Sequence, residues 1–484
     1  MSMIERRAAS AAWWSTVETL ARAGAQFVVM VTLARLLAPE DFGLIAMPLI
    51  FTSVGALLVD SGFGVALIQR QQTTADDETT VFIFTVAAGA LAAVVLAIAA
   101  PAIATFFHEP RLVDLTRAMA LILPLGAFAA VPDALLTMRL GFKERARAEV
   151  IASTCAGIGA IVLALRGFGV WSLAWQGLAS VAIRGAMLWR YSGWRPRGRY
   201  RAASFRSLFG FGGYLLLTAL LNAVAMRMQI LWIGKLFSAR EVGYYTLAQN
   251  TQQAPASLIG SILNRVGLPV FSAIAADREK LLGAFRASLR MSMFLFVPCM
   301  VGIALGARPL IELLYGSRWS SAAPILSILA ASAAMWPIHV LNLAVIGAQG
   351  RSDLLLRVEL IKQTAAITLI AAVAHWGPLA IAWGVLASGF FGLTVNTHYT
   401  KVLLGYGAMA QLSDQSATLM LSAIAAVVGW ITLHWAPPGL VGMFAAIAAS
   451  AGVYVLLAVL TRNRALTGLQ SVMRASLARN ADAR

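Results

Sequence analysis

Apolar runs of about 20 residues recur along the whole chain, and short polar segments separate them. A helix of that length crosses a hydrocarbon layer about 30 Å thick, in which every backbone polar group must find its partner within the protein. The runs do not alternate apolar with polar residues, which excludes a membrane β-barrel. Only 12% of the 484 residues are charged, against about 25% in soluble domains. The predicted fold class is therefore an all-α polytopic membrane protein.

The apolar runs predict about fourteen transmembrane helices. They lie at residues 12–37, 43–69, 79–107, 112–138, 146–166, 168–191, 207–235, 241–272, 284–314, 322–347, 354–375, 377–403, 413–434 and 438–461. With that arrangement, 25 Lys and Arg residues fall on the side of the N-terminus and 8 fall on the opposite side. Because basic loops remain in the cytoplasm, both termini are predicted to be cytoplasmic. The net charge of +17 is explained by this topology, and we predict no nucleic-acid partner.

A short polar hairpin occurs twice, at an offset of 200 residues. Residues 33–43 (LARLLAPEDFG) and 233–243 (IGKLFSAREVG) match a base with a base, an acid with an acid and a glycine with a glycine. Two further matches, at offsets of 210 and 208, are 147–151 with 357–361 and 173–180 with 381–388. Two sets of six spans in the same order are typical of parallel repeats in alternating-access transporters.

The repeat and the loops divide the chain into five predicted segments. These are an N-terminal six-helix bundle (1–191), a basic cytoplasmic linker (192–206), a C-terminal six-helix bundle (207–404), two extra transmembrane helices (405–461) and a basic cytoplasmic tail (462–484). No loop is long enough for a folded soluble domain, so we expect binding to take place at membrane depth.

Ionisable residues inside the predicted spans are the first functional candidates, because a charge in hydrocarbon is costly. They are the cations Arg22, Arg184, Arg227, Arg265 and Lys362 and the acids Glu18 and Asp60. Glu18 and Arg22 lie four residues apart on one helix face, where they form either a buried structural pair or part of a cavity. Asp60, which shares a helix face with Ser53, binds a coupling cation, orients an arginine or caps a broken helix.

The eighth predicted span carries a polar stripe whose members lie within about 60° of one another at 100° per residue. The stripe consists of Asn250, Gln253, Ser257, Ser261 and Asn264, and Arg265 lies next to it. In lipid each unpaired group would cost on the order of 1 kcal/mol or more, so the stripe faces other helices or a water-filled cavity. If the stripe faces a cavity, we predict an anionic cargo. The reason is that Arg22, Arg227 and Arg265 offer guanidinium groups suited to phosphate oxygens.

The sequence lacks the patterns of an enzyme. There is no G-x-x-x-x-G-K-[ST] loop, so we expect the chain not to hydrolyse ATP itself. His, Cys and carboxylate residues show no metal-ligand spacing, and His339 lies within a span without an evident partner. We therefore predict no catalytic residue, no metal and no cofactor. Transport energy would come either from an ion gradient or from removal of the product.

Residues 34–43 (ARLLAPEDFG), followed by residues 60–64 (DSGFG), resemble the polysaccharide-transporter branch of the MOP flippase superfamily, the Wzx-type exporters. The resemblance implies a V-shaped pair of six-helix bundles in a bacterial inner membrane. It also implies that undecaprenyl-pyrophosphate-linked oligosaccharide units are moved to the periplasmic leaflet for exopolysaccharide, capsule or O-antigen synthesis.

The same resemblance implies three kinds of partner: the lipid-linked oligosaccharide, the bilayer, and the polysaccharide polymerase and export machinery. Two alternative functions stay open within the superfamily. One is a lipid II flippase. The other is a multidrug/toxin extrusion antiporter, for which a cavity rich in carboxylates would be expected.

Overall fold

The computed structural model describes residue 24 and residues 26–60, 63–69, 73–437 and 439–468. Within the helices it describes all side chains except those of residues 65, 69, 203, 207–219, 221–222, 257–269 and 352. Throughout these residues the regular structure is helical, and they include no β-strand. The predicted all-α polytopic class is confirmed.

The helices follow one another with short connections. They are α1 Gln26–Leu36, α2 Pro39–Asp60, α3 Phe63–Gln69, α4 Ala75–Phe107, α5 Leu112–Ala120, α6 Ile122–Met138, α7 Phe142–Leu165, α8 Val170–Ser192, α9 Ala202–Leu236, α10 Ala239–Ala273, α11 Arg278–Leu305, α12 Ala307–Tyr315, α13 Ala322–Ala333, α14 Trp336–Ala348, α15 Ser352–Val373, α16 Pro378–Leu404, α17 Ala408–Trp435 and α18 Leu440–Leu460.

Nine helical stretches within the described ranges are long and apolar enough to cross a membrane. Other long helices, such as α10, interrupt their apolar sequence with polar residues. The count of fourteen crossings therefore stays a prediction. Large apolar side chains also cover the outside of the molecule: Ile98 is 75% exposed and Val441 is 72% exposed. Exposure of that kind is unfavourable in water and natural in lipid.

The chain divides into two compact units, residues 1–246 and 247–484. The first contains α1 to α9 and the first turns of α10, and the second contains the rest. In the second unit, Phe285, Met293, Ile338 and Tyr406 belong to one buried apolar cluster. The predicted boundary at residues 192–206 comes from the sequence repeat, whereas the boundary after residue 246 comes from the compactness of the folded chain. The predicted boundary stays a prediction.

Part of the predicted linker is held firmly within the first unit, since residues 194–201 lie against the start of α4. The backbone N–H of Gly198 donates to the hydroxyl of Thr79 at 3.0 Å. The indole Nε1 of Trp194 donates to the carboxylate of Glu78 at 2.7 Å. Polar side chains at the start of α4 thus bind this segment, which explains why it belongs to the first compact unit.

The repeated hairpins form two equivalent breaks between helices. Helix α1 ends at Leu36 and α2 begins at Pro39. Helix α9 ends at Leu236 and α10 begins at Ala239, again 200 residues later. The predicted repeat of the hairpin is therefore present in the structure at the predicted offset.

Each hairpin has a side-chain cap at the start of its second helix. The carboxylate of Asp41 accepts the N–H of Ala38 at 3.0 Å. In the second copy the hydroxyl of Ser238 accepts the N–H of Glu241 at 3.4 Å. Side chains of this type satisfy the N–H groups that a helix leaves unpaired at its start.

Candidate transport site

The two repeated hairpins touch each other through their backbones, and glycine makes the contact possible. A Cβ atom added to Gly43 would lie 2.6 Å from the carbonyl carbon of Ala239. A Cβ added to Gly243 would lie 2.7 Å from the carbonyl carbon of Pro39. In both places a glycine Cα–H faces a carbonyl group, as in close helix crossings in membranes.

These two contacts are images of each other at the repeat offset. Gly243 is Gly43 shifted by 200 residues, and Ala239 is Pro39 shifted by the same number. When residue i contacts residue j in this reciprocal way, the pattern is that of a two-fold axis. The sequence repeat is therefore also a local structural symmetry, as expected of parallel transporter repeats.

A charge network, consisting of Asp133, Arg145, Glu149 and Arg184, joins α6, α7 and α8 in the first unit. Arg145 Nε lies 2.8 Å from Asp133 Oδ1. Arg184 places Nη2 3.0 Å from Asp133 Oδ2 and Nε 2.9 Å from Glu149 Oε2. One guanidinium thus binds carboxylates on two other helices, which uses the fork geometry peculiar to arginine. With two acids and two arginines the network is formally neutral.

A second polar group, which we call the lysine cluster, consists of His339, Glu359, Lys362 and Asn396 in the second unit. Lys362 Nζ lies 2.7 Å from Glu359 Oε1. The amide nitrogen of Asn396 lies 3.0 Å from His339 Nδ1. A Cβ added to Gly392 would lie 3.3 Å from the His339 ring and 3.6 Å from Lys362 Cε, so both side chains pack over this glycine. The sequence had indicated no partner for His339, and the structure supplies Asn396.

The charge network and the lysine cluster are related by the sequence repeat. The equivalent positions, at offsets of 210, 210 and 208, are Glu149 and Glu359, Ala152 and Lys362, and Arg184 and Gly392. The acid keeps its place in both copies. Its cation lies on α8 in the first copy and on α15 in the second. Where the other copy has its cation, each copy has a small residue. This residue is Ala152 in the first copy and Gly392 in the second. Each copy therefore has an acid–base pair at this acid, between α7 and α8 in the first copy and within α15 in the second.

Moving the cation of the second copy from α15 to α16 tests this relation. We expect Lys362→Ala to lower the free energy of unfolding by about 1–3 kcal/mol, because Glu359 loses its charged partner. Adding Gly392→Arg to Lys362→Ala places a cation where Arg184 stands in the first copy, and should restore at least half of that loss. Thermal unfolding in detergent measures both effects.

The matched control is Gly392→Arg alone. It should be destabilising, because the new side chain meets Lys362 and His339. The arginine would thus be harmful with Lys362 present and helpful without it. If it is harmful in both backgrounds, the two cations do not have equivalent roles.

Most of the residues predicted to bind cargo lie outside what the structure describes. Residues Glu18 and Arg22 precede the described ranges, and the side chains of Ser257, Ser261, Asn264 and Arg265 are among those not described. In the second unit Asn250 and Gln253 are exposed on α10. In the first unit Arg227 is half-buried on α9, and within the described part of the chain it has neither an ion pair nor a hydrogen bond. The cationic cavity therefore stays a prediction.

Asp60 is the last residue described before residues 61–62. It is the last residue of α2, and α3 begins at Phe63. A Cβ added to Gly64 would lie 3.2 Å from Asp60 Oδ1. Ser53, predicted to share its face, donates its hydroxyl to the Ile50 carbonyl at 2.8 Å. All three predicted roles of Asp60, cation binding, orientation of an arginine and helix capping, stay open.

The structure corrects one step of the sequence argument. Arg184 and Lys362 were among the intramembrane cations considered as functional candidates, but each is paired with a carboxylate. The partners Asp133 and Glu149 were missed. The sequence did contain a sign that Glu149 matters, because the repeat places an acid, Glu359, at the equivalent position. The predicted anionic cargo would therefore be bound by Arg22, Arg227 and Arg265.

Comparison with known proteins gives a family and full-length relatives. The family model described as polysaccharide biosynthesis protein matches residues 32–324. The succinoglycan biosynthesis transport protein ExoT of Rhizobium meliloti is 27% identical over 97% of this chain and 96% of its own length. The lipopolysaccharide biosynthesis protein WzxC of Escherichia coli is 25% identical over 81% of this chain and 80% of its own length.

Two solved membrane transporters have a similar fold. The lipid II flippase MurJ, in an inward closed conformation, superimposes with a TM-score of 0.74 at 15% identity, covering 94% of this chain and 98% of its own. A multidrug resistance MATE transporter in an inward-facing conformation gives 0.61 at 18% identity, covering 81% of this chain and 94% of its own. At these identities the likeness extends to the fold alone.

Proposed function

Because the chain belongs to the polysaccharide biosynthesis protein family of Wzx-type transporters, we propose that it flips lipid-linked oligosaccharides. The cargo is an undecaprenyl-pyrophosphate-linked repeat unit, which moves from the cytoplasmic to the periplasmic leaflet of a bacterial inner membrane. The product feeds synthesis of exopolysaccharide, capsule or O-antigen. Both termini lie in the cytoplasm, as the distribution of Lys and Arg favours.

One observation carries this proposal: the likeness to a named succinoglycan transport protein extends over 97% of this chain. Other relatives are named for teichuronic acid and lipopolysaccharide synthesis. The names have a polymerised glycan in common, and the glycans differ. The cargo is therefore assigned by its lipid-linked anionic headgroup and not by its sugars.

The two alternatives within the superfamily receive less support. The resemblance to the lipid II flippase and to the drug transporter concerns the fold, at 15% and 18% identity. A cationic drug would favour a cavity with unpaired carboxylates. In the charge network and the lysine cluster, by contrast, Asp133, Glu149 and Glu359 are all bound to basic side chains.

The proposed mechanism assigns the charge of the headgroup to Arg22, Arg227 and Arg265. Guanidinium groups bind pyrophosphate oxygens in a bidentate way, while the polyprenyl tail remains in the bilayer. Alternating access then exposes the headgroup to the opposite leaflet. The polar stripe of α10, from Asn250 to Asn264, hydrogen-bonds the sugars.

Deletion of the gene tests the proposed function. We expect full-length repeat units to accumulate on their lipid carrier, as measured by radiolabelling of lipid-linked sugars, and polymer output to fall. Unchanged polymer and unchanged intermediates would contradict the proposal. A lipid II flippase would instead be required for growth, so viability of the deletion strain separates the two functions.

Substitution of the cavity arginines tests the site. We expect Arg22→Ala and Arg265→Ala each to reduce export at least about tenfold, which corresponds to loss of one charge-assisted contact of about 1.4 kcal/mol. Amounts of protein in the membrane should stay unchanged. Arg308→Ala is the control, because Arg308 is exposed and its ion pair is with Glu312 on its own helix. Normal export by both cavity variants would make the site assignment wrong.

A further inference from the structure

A closed amide pair, formed by Asn342 on α14 and Gln411 on α17, lies buried in the second unit. Asn342 Nδ2 donates to Gln411 Oε1 at 2.9 Å, and Gln411 Nε2 donates to Asn342 Oδ1 at 3.0 Å. The remaining N–H groups donate to the carbonyls of Ile338 and Tyr406, at 2.7 Å and 3.0 Å. Both N–H groups of each amide are therefore used, and the pair fastens α17 to α14.

One helical turn further along α17 lies a second glutamine in the opposite situation. Gln415 is fully buried, at 0% exposure, and neither its Oε1 nor its Nε2 has a hydrogen-bond partner among the described residues. A buried primary amide with both ends unpaired is unfavourable and requires an explanation. Gln411 and Gln415 are four residues apart, so they lie on the same face of α17.

The spacing of these glutamines matches a shift by one helical turn. Four residues of α-helix rise by about 6 Å. A displacement of α17 by that distance along its own axis brings Gln415 to the level of Asn342 and moves Gln411 away from it. The side chains are identical, so Gln415 can form the same paired amide contact. One-turn shifts of this kind are a known form of conformational switching.

We propose that Asn342 exchanges Gln411 for Gln415 as α17 moves by one turn during transport, which makes both glutamines positioning residues. The inference rests on the proposed function, because it requires a transport cycle with two states. In the described state Gln411 holds Asn342 and Gln415 is unpaired. In the second state Gln415 holds Asn342.

The start of α17 and the turn before it have contacts and glycines that suit this motion. Asp414 accepts the hydroxyl of Tyr406 at 2.6 Å and lies 3.4 Å from Arg286 of α11. These contacts hold α17 in the described register, and they must break when it shifts. Gly405, with φ of 74°, and Gly407 lie on either side of Tyr406, where the backbone can change direction without steric cost.

Disulfide cross-linking tests the two registers directly, in a chain whose free cysteines Cys155 and Cys299 are replaced by alanine. One variant combines Asn342→Cys with Gln411→Cys, and a second combines Asn342→Cys with Gln415→Cys. A disulfide forms when Cα atoms approach within about 4.4–6.8 Å. We expect both pairs to cross-link, the second at least tenfold more than the control pair Asn342→Cys with Ser422→Cys. Cross-linking of the second pair at the control level would overturn the proposal.

Substitution of Gln415 supplies an independent readout. We expect Gln415→Leu to raise the melting temperature, because the unpaired amide is removed, and to lower export at least fivefold, because the second register loses its contact. Gln415→Asn should restore part of the export. Normal export by Gln415→Leu, with no cross-link at position 415, would mean that the site holds only a buried water.

The outcome can be separated from that of the proposed function. Cross-linking is measured without cargo, on the full-length protein in membranes. If deletion of the gene leaves lipid-linked sugars unchanged while the second pair cross-links, the register shift stands and the assigned cargo is wrong. If cargo accumulates and the second pair does not cross-link, the proposed function stands and the register shift is wrong.

Discussion

Alanine in place of Gly43 or Gly243 is expected to lower the free energy of unfolding by about 1–3 kcal/mol, the usual cost of overpacking. Helix propensity alone predicts the opposite sign, since alanine is better than glycine by about 1 kcal/mol within a helix. Sterics should win, because the new Cβ of the Gly43 variant meets the backbone of Ala239, and a backbone cannot rotate away as a side chain can. Thermal unfolding of the purified protein in detergent measures the change.

Gly126→Ala and Gly283→Ala are matched controls, since nothing lies within 4 Å of a Cβ added at either position. Both should be neutral or slightly stabilising. The double variant of Gly43 and Gly243 should cost less than the sum of the single variants, because the first substitution already separates the hairpins. If either single variant is as stable as the controls, the backbone contact between the hairpins does not exist.

The fold class and the hairpin repeat could be predicted from sequence because membrane burial acts on local composition. A span must be apolar over about 20 residues, whatever it packs against. The hairpins break that pattern with charged residues and glycine, and the helix ends at Leu36 and Leu236 follow the break. Local rules were sufficient for these features.

Pairing between helices could not be predicted in the same way. Arg184 was recognised as a costly intramembrane charge, but its partner Asp133 lies 51 residues earlier in the chain. The neighbours of a helix depend on how the helices pack. The spacing of polar and apolar residues along one helix does not identify those neighbours. The fit of Gly43 against Ala239 was likewise invisible, although the matching offset of Gly243 pointed to the right pair of segments.

Arg184→Met is expected to cause the largest loss of stability among the charge substitutions, about 3 kcal/mol. That is the lower end of the range for breaking a buried ion pair, because the side chains of Glu149, Arg184 and Asp133 keep 14–30% exposure. The substitution leaves both acids without Arg184. Arg184→Lys should be intermediate, because one ammonium group lacks the planar fork that reaches two carboxylates on different helices. Denaturant or thermal unfolding distinguishes the variants.

The comparison that identifies the cause is the double variant Glu149→Gln and Arg184→Met. It changes one more residue than Arg184→Met, yet it should be more stable, because Asp133 keeps its pair with Arg145 and position 149 no longer carries a charge that has lost Arg184. Arg308→Met is the exposed control, and its pair with Glu312 on the same helix should be worth less than about 1 kcal/mol. A double variant less stable than Arg184→Met would mean that packing, and not charge compensation, holds α6, α7 and α8 together. Compensation instead implies that Arg184 is committed to the carboxylates of its own unit and does not bind cargo.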